Sequence, residues 1–306
     1  MGLPIKITLP EDFLKKEVRC GYEVSEKLKK IWAVELDLLQ HLLDVCGKHN
    51  INVQVFAGTL LGAVRHKGMI PWDDDIDVAM TRDDFNKLCA IAPEEFKSPY
   101  FFQTALNDRK FFLGFARLRN SLTTGLITGN ESLEYNNGIY IDIFPLDGLP
   151  RSLWLSKIQR RIVMMVVKCC TTYIREKRKN NSVGELISRI FRPFIRCFPY
   201  EWWYGFYVRV LSLSTEYSDK LCLRTHFLFG EKYCIYKSEL ADTIKLPFEN
   251  IKVPVPKDYK VVLSRMYGEY LQFPPPEVRG KWHEGQINFE PDIPYKEFLS
   301  KKNDSK

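Results

Sequence analysis

Four aspartates fall within five residues, Asp73-Asp74-Asp75-Ile76-Asp77, and the chemistry open to them depends on which of them share a surface. The run Ile76 to Met80 reads as a short β-strand. Side chains alternate along a strand, so Asp75 and Asp77 project from one face, while Ile76 and Val78 point to the opposite, buried one. Two neighbouring carboxylates repel unless a cation lies between them. Hard divalent ions such as Mg²⁺ or Mn²⁺ favour such oxygen ligands and keep coordination positions open for substrate phosphates. For a lone D-x-D, a solvated acidic loop is the alternative. A calcium loop is rejected: Asp73, Asp75 and Asp77 imitate its first three ligands, but Val78 stands at the sixth position, where that loop needs a glycine.

Groups on either side could complete such a site. Upstream, a β-rich run from Val53 to Phe56 ends in Ala57-Gly58-Thr59 before a helical stretch, Leu60 to Arg65. A glycine turn entering a helix N-terminus offers backbone N–H groups and a positive dipole end to an anion, so a phosphate would fit at Gly58 and Thr59. Arg65 and Lys67 lie between this turn and the D-x-D strand, where the arginine could meet phosphate oxygens bidentately and the lysine as a point charge. A solvated loop is the alternative for both. Downstream, Tyr140-Ile141-Asp142-Ile143-Phe144 places one carboxylate in an apolar β run, which is costly unless the group is paired or metal-bound. Asp142 could equally cap a neighbouring loop. Asp147, in Pro145-Leu146-Asp147-Gly148, reads as turn chemistry. His66 and His283 are single histidines, read as structural.

The elements that would position these residues are legible in outline. Apolar residues from Ser25 to Lys48 recur at helical spacing and give one broad apolar face. Thr81-x-x-Asp84 has the form of a capping box opening a helix from Arg82 to Ile91. Further β-rich runs cover Tyr100 to Thr104, Phe111 to Leu118 and Ile139 to Phe144, so the pattern is α/β up to about Leu149. Beyond Pro150 the sequence turns to long amphipathic, basic stretches with few β signals until Ile251 to Val255. The expected division is therefore 1–149, a catalytic core with an N-terminal helix, and 150–306, a mainly helical, basic region whose C-terminal elements pack back on the core.

The 306 residues, 45% hydrophobic and 13% aromatic, can bury a large core. No run reaches the roughly 18 to 20 apolar residues of a spanning helix, and MGLPIKITLP lacks the marks of a signal peptide, so a cytoplasmic location is expected. The eight cysteines form no C-x-x-C pair and are read as buried, reduced thiols. Charge is uneven: between Arg151 and Val210 there are 13 Lys and Arg against three Glu, 13 − 3 = +10, within a total of +7. In that segment apolar patches alternate with Arg160-Arg161, Lys168 and Arg175 to Lys179, followed by Trp202-Trp203-Tyr204. Cationic amphipathic helices with aromatics suit an anionic membrane surface, and a peripheral contact through 151–210 is one reading. An ordinary solvated basic face is the other. No nucleic-acid reader motif occurs, so no nucleic acid partner is expected.

A glycine turn, a D-x-D strand and a third aspartate on a later strand occur in the order seen in the nucleotidyltransferase-like superfamily, which this sequence resembles. It is more closely similar to the LicD family of phosphotransferases. The likeness is carried by Gly58-Thr59-Leu60-Leu61-Gly62-Ala63-Val64-Arg65-His66-Lys67-Gly68, Ile70-Pro71-Trp72-Asp73-Asp74-Asp75-Ile76-Asp77 and Ile141-Asp142-Ile143-Phe144-Pro145-Leu146-Asp147. Later matches are Val253-Pro254-Val255-Pro256-Lys257-Asp258-Tyr259, Tyr267-Gly268 and Pro274-Pro275-Pro276. It spans most of Leu28 to about His283 and is thin between Pro150 and Leu246.

The resemblance implies an α/β (α+β) fold: a nucleotidyltransferase-like core with a mixed sheet flanked by helices, then a mostly helical C-terminal region. It implies a transferase that moves a phospho-substituent, typically phosphocholine from CDP-choline, onto a sugar of a surface glycan such as lipopolysaccharide or teichoic acid, or onto its lipid-linked precursor. Relatives of the fukutin type use a polyol phosphate. Carried over by residue, Asp75 and Asp77 match the metal-binding D-x-D and Asp142 the third carboxylate, with two ions of Mg²⁺ or Mn²⁺ implied and Asp142 as general base. Gly58, Thr59, Arg65 and Lys67 would contact the donor. Trp72 would stack on a base or a choline group, or else brace the acidic loop from the core. If the basic segment meets lipid, the enzyme would sit peripherally on the inner face of the membrane. A nucleotidyltransferase acting on a small molecule would share all three features, a nucleotide-sugar glycosyltransferase only the D-x-D. A non-catalytic binding protein on this fold would have no reason to keep all three carboxylates.

Overall fold

A computed structural model describes residues 2–130, 134–174, 183–225, 231–281 and 285–304. Strands β1 (Glu17–Arg19) and β2 (Tyr22–Val24) form an antiparallel hairpin ahead of helix α1 (Glu26–Lys48). The Ser25 hydroxyl accepts from the Leu28 amide at 3.2 Å and caps α1. Trp32, Leu36, Leu39 and Leu42 bury its inner face, which packs on the central sheet. Strand β3 (Gln54–Val55), helix α2 (Ala57–Arg65), strand β4 (Asp77–Thr81) and helix α3 (Arg82–Glu95) follow in the expected order. The Thr81 hydroxyl accepts from the Asp84 amide at 3.2 Å, as the capping pattern predicts.

Next come β5 (Tyr100–Gln103), β6 (Ala116–Asn120), β7 (Thr124–Ile127) and β8 (Ile139–Gly148). The predicted strand from Phe111 begins only at Ala116, because Gly114 adopts a φ of 74° that breaks the extended run. The remainder is α4 (Leu153–Ile174), α5 (Val183–Arg196), α6 (Tyr200–Ser212), β9 (Lys220–Cys222), β10 (Ile235–Tyr236), α7 (Lys237–Ala241), β11 (Thr243–Phe248), β12 (Ile251–Pro256), α8 (Tyr259–Tyr267), β13 (Ile287–Glu290) and α9 (Tyr295–Asp304). This half holds more strand than its sequence suggests: β12 pairs with β11, β13 with β7, and β9 joins the central sheet. No helix among the described residues is long and apolar enough to cross a membrane.

Strand β8 is the axis of this mixed α/β arrangement. It runs parallel to β4, in the register Asp77↔Asp142, and β3 lies antiparallel beyond β4. On its other edge it pairs antiparallel with β6 and then, at Asp147 and Gly148, with β9. The main core lies between this sheet and helices α1, α2 and α3. A second, smaller core joins α4 to α6 through Val163, Val166, Cys170, Tyr204, Tyr207 and Leu211.

Two sequence expectations change. Cys222 and Cys234, read as reduced thiols, are joined by a disulfide, because the register Leu221↔Ile235 of β9 and β10 brings them side by side. Asp147, read as a turn residue, lies inside β8 and is fully buried. Arg82 Nε donates to its Oδ1 at 2.8 Å and Nη2 to its Oδ2 at 2.6 Å, a bidentate pair beneath α6. Removing one member of a buried pair strands the other charge. Asp147→Ala is expected to destabilise the fold by about 3–5 kcal/mol, measured by urea unfolding; a loss under about 1 kcal/mol would mean that Arg82 finds water or another acceptor.

Candidate functional site

The site is built where β4 begins. Ile76 and Val78 are fully buried in the core, so Asp75 and Asp77 project from the other face, as the alternation requires. The regular strand starts at Asp77 and leaves Asp75 in the extended segment just before it. Pairing nevertheless reaches back: Ile76 O accepts from the Asp142 amide and Asp77 O from the Phe56 amide, both at 2.9 Å. The structure therefore brings Asp77 and Asp142 side by side on adjacent strands, with Asp75 one step ahead.

Helix α2 closes one side. Phe56 gives its N-terminus no side-chain cap, and Ala57 opens the helix at a φ of 45°, a left-handed conformation that costs an alanine about 1–3 kcal/mol and is typical of ligand sites. A Cβ on Gly58 would stand 3.3 Å from Asp73 Oδ2, so glycine lets the acidic loop close onto the first turn of the helix. Thr59 is buried, and its hydroxyl accepts from the Asp77 amide at 2.8 Å, which ties α2 to the head of β4. From α1, Trp32 Nε1 donates to Asp73 O at 2.9 Å and fixes the loop from below.

A cavity of about 540 Å³ opens over these residues. Ala57, Gly58, Asp73, Asp75 and Asp77 line it, together with Arg65 and the rings of Trp72, Phe144, Tyr233, Tyr267, Tyr270 and Phe273. Arg65 enters the wall, but its Nη1 donates to Tyr270 O and Gln272 O, each at 3.0 Å, so it also holds the far rim. Lys67 is an exposed turn residue outside the lining, with its carbonyl accepting from the Glu249 amide. Trp72 is half-buried between Tyr22, His66 and Phe273, with the Arg279 guanidinium 4.7 Å from its ring centre. His66 packs on this cluster, and burial, with Arg65 and Arg19 nearby, pushes its pKa down to about 4. His283 and the stretch Arg175 to Lys179 lie outside the described residues.

The electrostatics are those of crowded acids. Burial, then Asp73, Asp77 and Glu35, raise the pKa of Asp75 well above the usual carboxylate range. Glu35, on α1, is almost fully buried, and its Oε2 has no hydrogen-bond partner. Burial, then Asp74 and Asp73, push its pKa well up too. The sequence reading missed this residue, although the signal was there: a glutamate stands in the apolar stripe Ile31, Trp32, Leu38, Leu39 and Leu42 of α1. Arg117, on β6, was also missed. Its Nε donates to Asp142 Oδ1 at 2.6 Å, and its guanidinium lies 3.7 Å from the Tyr140 ring centre. Burial works against the Arg117 charge, but Asp142 and Tyr140 outweigh it and raise its pKa.

A divalent cation fits this donor set. Asp75 is pressed toward protonation by its neighbours, and an orphaned oxygen of Glu35 lies buried beneath. Among the described residues no group of three His, Cys, Asp or Glu side chains is placed to hold an ion unaided, so a cation here would rest on two carboxylates. That suits Mg²⁺, which commonly takes one or two carboxylates and draws its other ligands from phosphates and water.

The family model described as LicD/FKTN/FKRP, nucleotidyltransferase domain, matches residues 50–161. The chain is 28% identical over 266 residues to the lipopolysaccharide cholinephosphotransferase LicD of Haemophilus influenzae, covering 84% of this chain and 96% of that protein. Shorter matches are to an uncharacterized protein of Rickettsia prowazekii, 37% identical over 89 residues (29% of this chain, 30% of that protein), and to one of Rickettsia typhi, 39% identical over 74 residues (24% and 23%).

Charge crowding has a measurable sign. Asp75 keeps its proton to higher pH when folded than when unfolded, so its cost to stability is absent below the ordinary carboxylate range and grows as pH rises toward the folded value. Asp75→Asn removes that cost. In chelator-treated protein this variant is expected to melt above the native chain by a margin that widens as pH rises above the ordinary carboxylate range. Adding Mn²⁺ should stabilise the native chain and leave the variant unmoved. Identical melting curves at every pH, followed by scanning fluorimetry, would show that Asp75 bears no such load.

Proposed function

We propose that this chain, which matches the LicD family model over 50–161 and a LicD cholinephosphotransferase over most of its length, is a transferase of that family that moves phosphocholine from CDP-choline onto a sugar of a lipopolysaccharide-like surface glycan or its lipid-linked precursor. The observation that carries this reading is the cavity in which the D-x-D carboxylates, the uncapped start of α2 and a wall of aromatic rings meet. Each part suits one part of such a donor. The first-turn amides of α2 at Gly58 and Thr59 would receive a diphosphate oxygen. The aromatic residues Tyr267 and Tyr270 of the lining, with Glu269 beside them, suit a trimethylammonium group, whereas a polyol would draw on hydrogen-bonding groups instead.

Asp75 and Asp77 would hold Mg²⁺ or Mn²⁺, and Asp142 would complete the set for a second ion. Bound there, the ions would supply neutralisation of the diphosphate oxygens and polarisation of the attacked phosphorus. Thr59 accepts from the Asp77 amide and keeps its own hydroxyl proton to donate toward the donor. Arg65, already in the cavity wall, and Lys67, at the adjacent turn, would add positive charge on the phosphate side. Asp142, oriented by Arg117 beside Asp77, is the candidate to take the acceptor hydroxyl's proton. Donor and lipid-linked acceptor would meet on the cytoplasmic side of the membrane.

Incubation with CDP-choline, CDP-ribitol and CDP-glycerol in Mg²⁺, with cytidine monophosphate release as the readout, tests the donor; the choline compound is expected to react fastest. Asp75→Asn and Asp77→Asn are each expected to lower that rate by more than about a hundredfold while leaving the fold intact. A near-normal rate in either variant would remove the D-x-D from the chemistry, and release of pyrophosphate from CTP instead would turn the reading toward nucleotidyl transfer.

A further inference from the structure

Helix α4 has two faces of different character. Inward, Gln159, Val163, Val166 and Cys170 are buried, and Gln159 Nε2 donates to Val210 O of α6 at 2.7 Å. Outward stand Leu153 and Trp154, 74% and 69% exposed, and Met164 and Met165, both 56% exposed. Lys157, Arg161 and Lys168 are exposed on the same helix, and its 22 residues include no Asp or Glu. The neighbouring α5 adds Phe191 and Phe194, 56% and 69% exposed.

A helix that meets only water usually mixes acids with bases on its outer face and keeps large apolar groups off it. The outer face of α4 does neither. Its cations have no acid of their own helix to pair with, and its largest apolar side chains are in water. An anionic lipid surface meets both conditions together: lysine and arginine reach the phosphates, while tryptophan and methionine enter the boundary between headgroups and chains. The contact would be peripheral, since no described helix can cross a membrane.

We propose that the outward face of α4, extended by the exposed aromatics of α5, docks this protein on an anionic membrane surface. The assignment stands apart from the chemistry of the cavity and holds whatever group is transferred. It gives the protein a fixed seat: α4 begins five residues after β8 ends, and β8 carries Asp142. The catalytic strand is thereby tied closely to the docked helix.

Co-sedimentation of the full chain with vesicles of phosphatidylcholine alone, and of phosphatidylcholine with phosphatidylglycerol, tests this. Binding is expected to the anionic vesicles and to fall as salt rises from about 0.1 M to about 1 M, where the screening length shrinks from about 10 Å to about 3 Å. The double substitution Leu153→Ser and Trp154→Ser, at positions too exposed to support the fold, is expected to weaken binding by about tenfold or more. A second variant, Lys157→Glu with Arg161→Glu, should abolish the anionic preference while the melting curve stays unchanged. Absence from both vesicle types, or equal binding by the native chain and both variants, would overturn the proposal. So would self-association of the native chain that the serine substitutions abolish, because a second copy would then be the occupant of this face.

Discussion

Negative charge gathered at one point is what the rest of this structure accommodates. Asp73, Asp75 and Asp77 line the cavity, Asp142 flanks Asp77 across the sheet, and Glu35 lies buried below. Carboxylates so placed destabilise one another and the fold unless opposite charge is near. The protein answers with the N-terminal dipole of α2 against the acidic loop and with Arg117 on Asp142. Asp75 itself answers by holding its proton well above the usual carboxylate range.

Strand β8 shows how burial sorts chemically identical groups. Asp142 and Asp147 lie five residues apart on it, and each receives an arginine. The Asp147 side chain is wholly enclosed, whereas that of Asp142 keeps 16% of its surface exposed, beside Asp77. The enclosed pair fastens α3 to β8, and the part-exposed one lies beside Asp77 at the candidate site. One strand therefore carries both the structural clamp and a candidate reacting group.

The parts of the site set by local rules were readable in the sequence. Period-two alternation placed Asp75 and Asp77 opposite Ile76 and Val78, and the cap at Thr81 followed from spacing alone, whereas α2 begins at Ala57 and takes Gly58 and Thr59, read as a turn, into its first turn. What could not be read depends on contacts distant in the chain. The Thr59 hydroxyl accepts from the Asp77 amide, 18 residues away, and Arg117 reaches Asp142 only through the pairing of β6 with β8. Asp147 looked like a turn because its neighbours are turn formers, but β8 is paired with β4 as far as Leu146 and with β9 at Asp147 and Gly148, which keeps it extended. Cys222 and Cys234 gave no signal because their bond is a product of the β9–β10 register. Glu35 was the one missed residue whose local signal was sufficient: a charge within an apolar stripe.

The recognisable part of the sequence and the working part of the molecule have different edges. The family match covers 50–161, yet the acidic loop is held by Trp32 of α1, before that stretch, and the far wall of the cavity is formed by Tyr267, Tyr270 and Phe273, long after it. The later segment supplies aromatic rings of the cavity, while the matched stretch supplies its aspartates and the first turn of α2. A substitution along the far wall can therefore reshape the candidate cavity without altering Asp75 or Asp77.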